Sequence, residues 1–211
     1  MEHYYTNDPT VASQMRQIEY STGDKTYRLW TDRGVFSVEK VDKGSDLLIR
    51  NVMRAEAGFG GTALDMGCGY GPIGLVLASA FPNSRFCLID VNERAMDLSR
   101  KNAKELHVED RICVGTWEAL TGEQATGVNN GGNDAEFDLV VTNPPIRAGK
   151  QTVYALFQQA FDALRTEGRL YVVIRKNQGA DSATKELKRL FGNCETLDRE
   201  SGYHILLSRK E

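Results

Sequence analysis

The chain has 211 residues, with 26 lysines and arginines against 29 aspartates and glutamates and a formal net charge of −3. That length suits one domain with a real core, the slight acid excess argues against a broadly basic nucleic-acid-binding surface, and no apolar run is long enough to be a secretory leader or to span a bilayer. The four cysteines, Cys68, Cys87, Cys113 and Cys194, are scattered without metal-ligand spacing and read as reduced thiols in a cytoplasmic protein.

Residues 1–44 form a strand-rich extension, with 27–31 its clearest strand. Residues 45–211 then make a single α/β domain. Over 46–56, Leu47, Leu48, Val52 and Met53 fall near helical spacing. Strands are expected at 62–66, 85–90, 111–114, 137–142 and 170–174, and helices at 72–81, 92–106, 150–165 and 180–191. The alternation implies a doubly wound, mostly parallel sheet. Two tail strands, 194–200 and 203–209, join at Ser201 and Gly202 and add an antiparallel hairpin at the sheet edge, for seven strands in all. Residues 122–133 are polar and rich in Gly and Asn, and read as a surface loop without a function.

The strand at 62–66 contains Asp65 and runs into Gly67, Cys68, Gly69, Tyr70 and Gly71. Pro72 then opens a helix, at a position where its missing N–H would be unpaired anyway. Strand, glycine turn and helix bring backbone close to a nucleotide-like ligand, with no Cβ in the way. Gly69, Gly71 and Gly74 also match the dinucleotide fingerprint G-x-G-x-x-G. Against that reading, the glycine run begins earlier and an acid lies in the strand behind it. A pyrophosphate favours a positive helix N-terminus, which a buried acid opposes. S-adenosylmethionine (SAM) carries a sulfonium and an ammonium and no phosphate, so the acid helps it. The next strand ends at Asp90, whose carboxylate suits a ribose diol. The alternative for Asp90 is a charge at the start of the helix that follows Val91.

The strand at 137–142 stops at Asn143, Pro144 and Pro145. Two prolines give no N–H to a ladder, and the residue before each is pushed to extended geometry. The Asn143 amide oxygen and the Pro144 carbonyl are thereby expected to be stiffly held and free to accept, as a planar –NH2 group requires. The bland alternative is a proline loop that only ends a strand.

Asp65 with its glycine run, Asp90, and Asn143 with its two prolines together resemble a class I SAM-dependent methyltransferase of the amino-methylating kind. Three further stretches, Asp32 to Ser37, Asp42 to Ser45 and Asn143 to Lys150, are similar to the small-subunit ribosomal RNA guanine-N2 methyltransferase group, the RsmC-like proteins, in its short single-domain form. The resemblance runs from about Tyr27 to the C-terminus and implies a Rossmann-like fold. Longer members carry a second, degenerate copy of the domain, for which this chain has no room.

The resemblance implies SAM as cofactor and exocyclic-amine methylation, with RNA or the small ribosomal subunit as partner. The catalytic set is Asn143, Pro144 and Pro145. The cofactor set is Phe36, Asp65, Gly67, Cys68, Gly69, Gly71, Asp90, Val91, Thr116, Trp117 and Asn143. The substrate set is Ile146, Arg147, Lys150, Arg175 and Lys176, with Lys25, Arg28, Arg33, Lys40 and Lys43 as further cations on the same rim. Neither a metal nor a catalytic histidine is expected, since His3, His107 and His204 show no pairing pattern. The chain departs from many relatives at Thr116, where Asp or Asn is usual, and at Ile146, where Tyr or Phe would stack on the base. Phe36 and Trp117 also have readings as buried structural aromatics, and single cations as solvated charges. Three alternatives remain at this point: a protein glutamine amide, a DNA base amine, or a non-catalytic SAM- and RNA-binding module.

Overall fold

The computed structural model describes residues 12–121 and 136–211. The expected loop at 122–133 and His3 lie outside them. Seven strands form one mixed sheet: β3 (Thr62–Met66), β4 (Arg85–Ile89), β5 (Ile112–Gly115), β6 (Phe137–Thr142), β7 (Leu164–Arg175), β8 (Glu195–Glu200) and β9 (Tyr203–Arg209). Their order across the sheet is β5-β4-β3-β6-β7-β9-β8. The first five run parallel, and β9 is antiparallel to both β7 and β8. This is the doubly wound, Rossmann-like sheet that the sequence implies, and its strands are fully buried near the centre because helices cover both faces.

Alternation along β3 assigns the faces. Ala63 packs with α1 (Lys43–Ala55), α2 (Pro72–Ala80) and α3 (Glu93–Glu105). Leu64 and Met66 pack with α5 (Lys150–Ala163) and α6 (Ala180–Phe191) on the other side. Six residues of β6 in succession are buried, the pattern of a strand covered on both faces.

Before the sheet, β1 (Arg16–Thr22) and β2 (Lys25–Thr31) form an antiparallel hairpin. Ile18, Tyr20, Tyr27 and Leu29 point inward and join the first core. The buried Asn102 side chain of α3 grips this hairpin: it accepts from the Trp30 N–H at 2.6 Å and donates to the Trp30 carbonyl at 2.9 Å.

Several boundaries differ from expectation for local reasons. Helix α1 starts at Lys43 rather than 46, because Asp42 caps it by accepting from the Gly44 and Ser45 N–H groups. Strand β7 starts at Leu164 rather than 170, since Phe137 pairs with Leu164 across an irregularity in β6. A short helix, α4 (Trp117–Thr121), follows β5, where no helix is expected from the sequence.

Candidate active site

Two turns leave the sheet side by side. Met66 and Thr142 are register partners at the C-terminal ends of β3 and β6, and chain order reverses between these strands. Open α/β sheets bind ligands in such a crevice. A cavity of about 690 Å³ opens there, within the range of small-molecule sites.

The glycine-rich turn is wired from beneath. Gly67 and Cys68 N–H groups donate to the Ile89 carbonyl at 2.9 and 3.0 Å, and the Gly71 N–H to the Cys68 carbonyl at 2.9 Å. The Gly69 N–H donates to the Asp90 carboxylate at 2.8 Å. From α3, Ser99 Oγ donates to the Gly69 carbonyl at 2.9 Å and Asn102 Nδ2 to the Tyr70 carbonyl at 2.8 Å. In α2, the Gly74 N–H donates to Asp65 at 2.8 Å. Donors that a pyrophosphate would need are thus already engaged, which argues against the dinucleotide reading. Gly67 and Gly69, at φ +70° and +58°, line the cavity, and a Cβ on either would meet nothing within 4 Å. That opening lets a ligand approach the backbone.

Asp65 is fully buried, and among the described residues its Oδ1 has no hydrogen-bond partner. Burial pushes the carboxyl up to about 7; the Gly74 N–H opposes this and the nearby Asp90 charge adds to it. An orphaned acid oxygen behind the turn suits a cationic ligand such as SAM and disfavours a phosphate. Asp65 does not line the cavity, so it reaches a ligand only through the turn or a water.

Asp90 does line the cavity. Its Oδ1 accepts from the Asn92 N–H at 2.9 Å, and its Oδ2 holds Gly69. Burial pushes this carboxyl up against the pull of those N–H groups. A carboxylate oxygen can accept more than one hydrogen bond, so the ribose role stays compatible with this second duty. Capping of α3 falls to Asn92, which accepts from the Ala95 N–H.

Cys68, Val91, Trp117 and Phe36 also line the cavity. Phe36 is 49% exposed, so it is no ordinary core residue. Besides Asp65, two expected cofactor residues do not line it, Thr116 and Gly71. Thr116 Oγ1 accepts from the Ala119 N–H at 3.2 Å, so its hydroxyl serves α4 as a cap. At Gly71 a Cβ would meet Leu75 Cδ1 at 2.6 Å, so that glycine serves turn-to-helix packing.

At the second turn, Asn143 Nδ2 donates to Asp42 Oδ2 at 3.2 Å and to Ser45 Oγ at 3.1 Å. Among the described residues no donor reaches Asn143 Oδ1. Asn143, Pro144 and Pro145 line the cavity. The Pro144 carbonyl, expected to be free, is instead partly engaged: it accepts from the Ile146 N–H at 2.8 Å. With Pro145 at φ −75° and ψ 78°, this is an inverse γ-turn, and it leaves the carbonyl its second lone pair.

On the rim, Ile146, Arg147 and Arg175 line the cavity, whereas Lys150 and Lys176 do not. Lys150 Nζ lies 5.1 Å from the Tyr154 ring, and the Lys176 backbone is tied to Gly202. Arg28 pairs with Glu19 on the hairpin at 3.5 Å, and neither it nor Lys25, Arg33, Lys40 or Lys43 lines the cavity. Three further cavity residues with roles, Asp42, Ser45 and Tyr203, are not among those expected from the sequence. The Arg175 guanidinium lies 4.8 Å from the Tyr203 ring. An acid followed three residues later by a helix of apolar periodicity was the available signal for Asp42; Tyr203 had none. Among the described residues, no cluster of His, Cys, Asp or Glu could hold a metal ion, and no helix is long and apolar enough to cross a membrane.

The methyltransferase small domain profile matches residues 26–207. The Bacillus subtilis protein YbxB is 39% identical over 209 residues, covering 99% of this chain and 98% of that protein. The ribosomal RNA small subunit methyltransferase C of Pseudomonas aeruginosa is 33% identical, over 96% of this chain and 57% of its own length. The ribosomal RNA large subunit methyltransferase G of Shewanella amazonensis is 28% identical, over 83% of this chain and 44% of its own. The chain therefore spans about half the length of these two named relatives. In structure, the T. thermophilus 16S rRNA N2 G1207 methyltransferase, solved with AdoMet and guanosine, superposes with a TM-score of 0.76 at 23% identity, over 96% of this chain and 52% of that one. With most of its length inside that profile, the chain belongs to the methyltransferase small domain family and takes S-adenosylmethionine as its methyl donor.

Proposed function

We propose that this protein methylates an exocyclic amine of ribosomal RNA, with guanine N2 of 16S rRNA as the acceptor. The observation that carries this reading is the Asn143 carboxamide, whose nitrogen is held by Asp42 and Ser45 and whose oxygen is left as an acceptor on a cavity-lining residue. The two ribosomal RNA methyltransferases among its relatives support the substrate class. The fold shared with a guanine-N2 enzyme is consistent with the finer assignment.

When bound, SAM supplies a methyl on a positively charged sulfur, which keeps the bonding pair as the amine nitrogen takes the carbon. An exocyclic amine is a poor nucleophile because its lone pair is delocalised into the ring. Asn143 Oδ1 and the remaining lone pair of the Pro144 carbonyl accept its two N–H groups. They favour a tetrahedral nitrogen and the positive charge that develops on it, the electrostatic argument of an oxyanion hole with the sign reversed. The methylated cation then releases one proton to water. Gly67, Gly69 and Asp90 hold the donor side of the cavity and fix the distance between reactants, which supplies much of the rate. Phe36 and Tyr203 offer aromatic faces that Ile146 lacks, and a base has to be unpaired to reach them. Arg147 and Arg175 meet the RNA backbone.

Tritiated SAM tests the reading with naked 16S and 23S RNA, with both ribosomal subunits, and with protein and DNA fractions, all from cells lacking the gene. Label in 16S RNA or the small subunit is expected. Label confined to protein or DNA, or no transfer despite SAM binding, overturns it.

A further inference from the structure

The Asp42 carboxylate faces two ways. Its Oδ1 accepts from the Gly44 and Ser45 N–H groups at 2.8 and 3.3 Å and caps α1. Its Oδ2 accepts from the Ser45 hydroxyl and from Asn143 Nδ2, the latter at 3.2 Å. The two ends of a carboxamide are nearly equal in shape, so its surroundings decide which way it points. A carboxylate only accepts; it therefore admits the NH2 end of Asn143 and turns the oxygen away.

We infer that Asp42 is a positioning residue that sets the polarity of the Asn143 carboxamide and, through it, strengthens Oδ1 as an acceptor for the substrate amine. The kinetic consequence rests on the methyl-transfer reading above; the orientation rests on hydrogen bonding alone. Capping does not explain an acid here, because Ser and Asn cap as well as Asp, and capping uses only Oδ1. The second oxygen, which capping leaves over, is the one that Asn143 meets. Hydrogen bonds to an ionised partner are stronger than neutral ones, and chains of them polarise each other. Gly44 keeps the arrangement against the wall, since the Tyr203 ring packs where its Cβ would stand, at 2.8 Å.

Asp42→Asn tests this with little change of shape. The cap keeps its oxygen, so the new NH2 replaces Oδ2 and faces Asn143. Asn143 must then turn its oxygen toward residue 42 and present NH2 to the substrate, the wrong polarity. The expected result is a fall in kcat of about 100-fold, the scale of one lost transition-state hydrogen bond, with SAM affinity held within about threefold. Adding Asn143→Asp restores a donor–acceptor match with an oxygen at the cavity, and the double variant recovers about tenfold or more over Asp42→Asn. A merely structural residue would show no such rescue. Asp42→Ser, which keeps a cap, shows by its melting curve whether α1 needs the acid to fold. The side-chain NH2 resonances of Asn143, assigned by their loss in Asn143→Asp, read the orientation without substrate. They are expected to be protected from exchange in the wild type and exposed in Asp42→Asn. Unchanged kcat in Asp42→Asn, a double variant no faster than that single, or identical NH2 protection overturns the inference. A wild type that binds SAM but methylates no RNA instead overturns the reaction, and the resonances still decide the orientation.

Discussion

The Thr142 hydroxyl donates to the Met66 carbonyl at 2.8 Å, joining the ends of the two strands that carry the glycine-rich turn and the Asn-Pro-Pro corner. Both side chains are buried. The bond sets the distance between the donor half of the site and the acceptor half. Thr142→Val keeps the volume but leaves the carbonyl short of a donor, at about 1–3 kcal/mol of stability. Because small displacements of reacting groups are costly in rate, kcat is expected to fall more than SAM affinity does. Stopped transfer kinetics beside calorimetric SAM binding decide this; an equal loss in both would place the bond in cofactor binding instead.

The glycines of the turn separate by task. Gly71→Ala forces a side chain at φ +85° against Leu75, so about 2–3 kcal/mol of stability is lost from left-handed strain and overpacking. Gly69→Ala carries the left-handed strain alone, about 1–2 kcal/mol, but its methyl extends into open space at the cavity. Denaturant melts of the two variants and their SAM affinities are expected to diverge: Gly71→Ala loses more stability, Gly69→Ala more affinity.

Much of this site was legible along the chain because its pieces are local. Strands β3, β6 and β9 and helix α6 have the expected bounds, each framed by Gly or Pro, or by a sharp change to polar residues. The hairpin strand β1 was less visible: Ile18, Tyr20 and Thr22 alternate, but within a polar segment. Thr116 was misplaced because a five-residue helix has too little periodicity to see, and its cap consumed the hydroxyl. The Asp42–Asn143 bond joins residues 101 positions apart, and nothing in either local pattern predicts it. The engaged Pro144 carbonyl depends on a ψ angle at Pro145 that sequence does not fix.

Asp65 gives a pH signature. Its carboxyl is raised from 3.8 to about 7 in the fold, so its contribution to stability is full below the unfolded value and is lost as pH rises through the folded one. The loss between pH 4 and 7 is on the order of 4 kcal/mol, at 1.36 kcal/mol per unit. Asp65→Asn keeps an oxygen for the Gly74 N–H and does not titrate. Urea melts across that pH range should show the wild type losing stability relative to Asp65→Asn; parallel curves would contradict the assignment.

Arg147 and Arg175 line the cavity, while the seven other predicted cations, Lys25, Arg28, Arg33, Lys40, Lys43, Lys150 and Lys176, do not. The double variant Arg147→Ala, Arg175→Ala is expected to bind RNA more weakly, with the salt dependence of log K reduced by about 0.7 per lost phosphate contact. SAM affinity should be unchanged. Filter binding over a salt series checks the slope, and an unaltered slope would remove these residues from the RNA surface.

The most direct measurement is nucleoside analysis of RNA after reaction with the protein and SAM, run in parallel with Asn143→Ala. The account predicts N2-methylguanosine from the wild type, and a loss of about 100-fold or more in the variant while SAM binding persists. A methyl on a ring atom or a ribose oxygen, or a variant as fast as the wild type, would contradict it.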